Sequence, residues 1–168
     1  MGVIGAKRRT RITVLLAAIL TFTMFGMGVA SAASGGTSRP YRARGTLTGS
    51  FDFDTGAFAA HGAAIESHLG KTLVGVVSPD GTNFVATTTA ANGDTLTTAL
   101  VSELAPPAIN CPADGFVFNE PYENVSTVTG GTGRFADASG TNDTRGCFGV
   151  DASGNLTLTF TATGTLSY

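Results

Sequence analysis

Tryptophan is absent from the 168 residues, and histidine and cysteine occur only twice each. Two histidines do not make a zinc site. No cysteine or carboxylate completes a known ligand spacing around His61 and His68, so no metal is expected. There is no G-x-S-x-G element and hence no local signature of Ser-His-Asp chemistry. Neither cysteine has a His or Lys near it in sequence, which argues against a catalytic thiol. Long amphipathic helices are missing too: Ala59 to Leu69 could hold a helical turn, but Gly62 and Gly70 fence it tightly. Basic residues are scarce beyond Ala32. Four of the ten Lys and Arg lie before it, which leaves six against twelve Asp and Glu, a net charge of −6. Such a surface repels phosphate backbones and anionic lipid, so neither nucleic acid nor a membrane surface is an expected partner.

What is present begins with an export leader. Lys7, Arg8, Arg9 and Arg11 form a basic start, Ile12 to Val29 is apolar except for three threonines and two glycines, and Ala30-Ser31-Ala32 supplies small residues for a signal peptidase. The pattern predicts a signal peptide over 1–32, cleaved after Ala32, and a secreted protein. The competing reading is a membrane anchor, since the run is about long enough to span a bilayer. Against it stand the threonines, Gly26 and Gly28, and the small-residue site directly behind. Arg8-Arg9 hints at twin-arginine export, but Thr10-Arg11 is polar where that route prefers apolar residues. An exported chain meets an oxidising compartment, so Cys111 and Cys147 are expected to be joined. Closing a loop of 36 residues stabilises by about 4 kcal/mol on chain-entropy grounds.

Residues 33–44 are polar and Gly-rich and read as a linker. From Gly45 to Tyr168 the texture is that of strands: Thr, Val, Phe and Leu, punctuated by Gly and Asp/Asn pairs. Leu47, Phe51 and Phe53 share one face, and Leu156, Leu158, Phe160 and Ala162 alternate with threonines. Ala91-Asn92-Gly93-Asp94 is a hairpin signal, because Asn-Gly tolerates the positive φ of a tight turn. Leu104 to Gly115 holds three prolines and Cys111 and reads as a loop. The fold class predicted is all-β: an antiparallel barrel of about eight strands over 45–168, since closure hides the edges of threonine-rich strands.

Gly131 to Ala136 fits the dinucleotide pattern G-x-G-x-x-A, and Asp151 follows 20 residues after Gly131. That pattern needs a strand–turn–helix–strand unit, and no crossover helix fits before Cys147, so no cofactor is expected. The expected structure is a tight turn and a short helical corner with Phe135 as its apolar plug and Arg134 paired with Asp137. Glu66 and His68 stand two residues apart, as partners on one strand face do, beside the apolar run Leu73 to Val77. They are the first candidates for proton transfer, with Tyr122 and Glu123 next. The bland account is a satisfied polar contact for the first pair and, for Glu120 and Glu123, a solvated acidic loop.

Four stretches carry a family resemblance: Ser67 to Lys71, Ala91 to Asp94, Val128 to Phe135 and Gly164 to Tyr168. In their order the chain resembles the allene oxide cyclase-like barrel family, whose relatives include dirigent proteins and small secreted bacterial proteins. The resemblance implies an eight-stranded barrel with a cavity at one end, and often a homo-oligomer. It brings no catalytic residues, because the matching motifs are turns. Three readings of function stay open: a non-catalytic barrel binding a small apolar ligand or a surface partner, a cyclase or isomerase working in the cavity, and a purely structural cell-surface protein.

Overall fold

The computed structural model describes residues 36–104 and 108–168. The expected leader, its cleavage site after Ala32 and the first residues of the linker lie outside them. Eight strands follow in chain order: β1 Arg39–Phe51, β2 Phe58–Glu66, β3 Gly70–Ser78, β4 Val85–Thr89, β5 Thr95–Glu103, β6 Phe118–Gly131, β7 Ser139–Val150 and β8 Asn155–Ser167. Each pairs antiparallel with its neighbour in sequence, and β1 pairs with β8, so the sheet closes on itself as an eight-stranded barrel. No α-helix occurs among the described residues.

One expectation changes. The linker is shorter than 33–44, because β1 starts at Arg39: its first residues register with Leu166 to Thr163 of β8, and that pairing outweighs a linker-like composition. Ala59 to Leu69 holds no helical turn. Ala59 to Glu66 is β2 strand with Ala60, Ala64 and Glu66 facing in, and its glycine at 62 permits the close approach of β1.

The inside is set by period-two alternation. Leu156, Leu158 and Ala162 of β8 are buried while Thr159, Thr161 and Thr163 face solvent. Leu47 of β1 is fully buried and worth about 2 kcal/mol of apolar burial. Phe160 also points inward, and it has room because Gly45 lies beside it: a Cβ there would stand 2.8 Å from the Phe160 ring.

The two ends differ. The β2–β3, β4–β5 and β6–β7 connections bring Leu69, Ala90, Phe135 and Ala138 together over Tyr41, Leu96 and Leu166, and this cluster seals one end. Its centre is Phe135, fully buried on a one-turn 3-10 helix, Gly133–Phe135, as the plug reading requires. Tyr168 packs edge-on at 4.9 Å, and the Arg134 guanidinium caps the Phe135 ring at 4.7 Å. Arg134 pairs with Asp94 at 3.8 Å, not with Asp137, because the corner turns it toward the β4–β5 hairpin. That hairpin closes through Ala90 and Asp94, with Gly93 at positive φ. At the other end, Cys111 and Cys147 form a disulfide that ties the β5–β6 connection to β7.

Candidate ligand cavity in the barrel lumen

Above the Phe135 seal the lumen stays open as a cavity of about 450 Å³, a size typical of small-molecule sites. Its walls are apolar: Leu47, Val74, Val76 and Leu158, with eight aromatic residues among the lining. Phe148 gathers Phe51, Phe58 and Phe118 around it in edge-to-face contacts, with centroids 5.4–6.0 Å apart. These rings lie toward the open end, where Gly81, Thr82 and Phe118 also border the cavity.

Glu66, the last residue of β2, is set deep in the barrel, near the sealed end, with only 3% of its surface exposed. Tyr41 Oη donates to its Oε2 at 2.7 Å, and the hydroxyls of Thr72 and Thr88 donate to its Oε1 at 2.9 and 3.1 Å. One strand each from β1, β3 and β4 thus supplies a donor to the carboxylate. A carboxylate accepts at about four positions, so these three leave acceptor capacity toward the cavity. The Tyr41 hydroxyl holds its proton far above the ordinary phenol range, first through burial and then through the negative charge of Glu66.

His68 does not join this group. It sits in the β2–β3 turn at a φ of 67°, outside the barrel, and its Nε2 lies 3.0 Å from the carbonyl of Pro40. The turn breaks the period-two pattern directly after Glu66, and so the two side chains part. Tyr122 of β6 does face the lumen, and its hydroxyl donates to the carbonyl of Thr159 at 3.2 Å. Burial pushes its proton affinity up as well. Glu123 sits at the border of the cavity and registers opposite Arg145 of β7. The structure therefore brings Glu66 and Tyr122 into one cavity and places His68 outside it.

Four residues that sequence reasoning passed over belong to the polar lining, Tyr41, Thr88, Asn124 and Asn142, while Thr72 holds Glu66 without lining the cavity. The two asparagines belong to adjacent strands, β6 and β7, and are 4% and 7% exposed. The carbonyl of Asn124 accepts from Ser126 at 3.4 Å and that of Asn142 from Thr144 at 2.8 Å. Among the described residues neither amide nitrogen has a partner, and both residues line the cavity. The signal in the sequence was there: Tyr122, Asn124 and Ser126 recur at period two, as do Asn142 and Thr144.

No family model, curated protein or solved structure matches this chain. The four stretches on which the expected resemblance rests all come to the sealed end: the β2–β3 turn, the β4–β5 hairpin, the Phe135 corner and the last residues of β8. They describe how the barrel is closed and say little about what its open end admits.

Proposed function

We propose that this protein is a secreted barrel that binds a small, largely apolar ligand in its lumen without transforming it. The observation that carries the reading is the open lumen itself, about 450 Å³, walled by aromatic and aliphatic side chains with a few convergent polar groups. A purely structural barrel has no use for such a space, and filling it would stabilise the fold. The Cys111–Cys147 bridge supports export, since such bonds persist in oxidising compartments.

A cyclase or isomerase in the same cavity is the second reading, favoured by one feature: Glu66 is a carboxylate buried among apolar walls and within reach of a cavity-bound molecule. Its immediate partners are hydroxyls with tightly held protons, which suits binding better than proton relay.

Titration with the neutral fluorophore Nile red tests the binding reading. Saturable, one-to-one enhancement is expected, and it should be lost in Thr98→Trp, which places an indole in the lumen. Absence of saturable binding to the folded barrel, or equal binding by the variant, would overturn the lumen as the site. Intact mass of material from the culture medium should match Ala33 to Tyr168, and retention of Met1 in a membrane fraction would replace export with anchoring.

A further inference from the structure

Charge is partitioned across the barrel wall. All six basic residues of the described chain, Arg39, Arg42, Arg44, Lys71, Arg134 and Arg145, are exposed. None of them lines the cavity, and neither does a histidine. Five acidic residues do: Glu66 deep inside, with Asp80, Glu103, Glu120 and Glu123. Glu66 accepts three hydrogen bonds, yet no cation among the described residues pairs with it. A carboxylate so placed is cut off from bulk water, and its attraction for a cation is strengthened by the low-dielectric walls.

We propose that the lumen takes a hydrophobic organic cation, an amine carried on an aromatic or aliphatic body, with Glu66 as its counter-ion. The inference rests on the reading that the lumen is a binding site and adds the chemistry of what enters. The ammonium completes the acceptor capacity that Tyr41, Thr72 and Thr88 leave on the carboxylate. The body of the ligand lies against the rings of Tyr41, Phe160 and Tyr122, whose faces attract positive charge. The amides of Asn124 and Asn142, more than nine-tenths buried and without a partner for their nitrogens among the described residues, provide a further contact for an oxygen on the same molecule. The acidic residues along the cavity raise the local concentration of cations and repel carboxylate ligands of the same size.

Calorimetry with three probes of matched skeleton decides it: phenylbutylamine, phenylbutanol and phenylbutanoate, each titrated into the mature protein at neutral pH and low salt. The amine is expected to bind about tenfold or more tighter than the alcohol, with the acid weakest. Glu66→Gln should remove most of the amine's preference over the alcohol. Should that variant fail to fold, the ranking of the three probes on the unaltered protein decides alone. An alcohol that binds as well as the amine overturns the charge assignment and leaves lumen binding standing. Nile red binding with no binding of any phenylbutyl probe does the same. Failure of Nile red and all three probes together overturns the lumen reading itself.

Discussion

Replacing Phe135 with alanine removes the central ring of the cluster that closes the barrel's inner end. The side chain is fully buried, packs edge-on against Tyr168 at 4.9 Å and lies beneath the Arg134 guanidinium. Truncating a buried phenylalanine costs about 3–5 kcal/mol, the transfer of the ring plus the cavity it leaves. The aromatic and cation–π contacts place this site toward the upper part of that range. For a domain of this size the loss corresponds to a fall of roughly 10–20 °C in Tm. Guanidinium unfolding followed by circular dichroism measures it, and the denaturant slope should stay constant if the folded barrel is retained. Phe135→Leu, which refills most of the volume, should recover more than half of the loss. A Phe135→Ala protein within about 1 kcal/mol of the parent would refute the seal, because so small a change belongs to a surface position.

Reduction of the Cys111–Cys147 bridge, or its removal with a double serine variant, should lower stability by about 4 kcal/mol, and alkylation of the native, unreduced protein should find no free thiol. Gly133→Val should fold poorly, because φ there is 58° and a Cβ would overlap the Asp94 carboxylate; the same region should bind no NAD at millimolar concentration. Acid should destabilise the barrel through its loops. Asp80 is held far below its ordinary value of 3.8, first by the Asn83 backbone N–H; Asp52 is lowered first by the Asp54 backbone N–H, and Asp151 first by the Asn155 side-chain amide. A depressed carboxylate stabilises fully above its ordinary value and loses that contribution as pH falls through the folded one. Tm should therefore drop on acidification below about pH 4, and less steeply in Asp80→Asn.

Strands were legible wherever one face was apolar. Leu156 to Ala162 alternates against threonine, and its leucines and alanine face in as the pattern demands. Glu66 stood out because a carboxylate next to an apolar run is anomalous. His68 misled because spacing of two implies a shared face only while the strand continues, and the chain turns directly after Glu66. Tyr41 was hidden by its surroundings: Ser-Gly-Gly-Thr-Ser-Arg-Pro reads as linker, and only pairing with β8 draws it into the barrel. Asn124 and Asn142 escaped for another reason. Polar residues in a strand are ordinarily assigned to solvent, and a hollow barrel reverses that rule on its inner wall.

The pairing of β1 with β8 also bears on how such a chain comes together. Every other seam joins strands adjacent in sequence and can zip as soon as both have emerged. The β1–β8 seam, twelve registered residue pairs from Arg39–Leu166 to Ser50–Asn155, has to wait for the final strand. A sheet of β1 to β7 still lacking β8 would carry two bare edges, one of them β1, the strand that supplies Tyr41 and Leu47 to the interior. The half-made sheet is most open to pairing with a second molecule during that interval, so the hazard of aggregation falls on the last moments of assembly, and the final strand ends it.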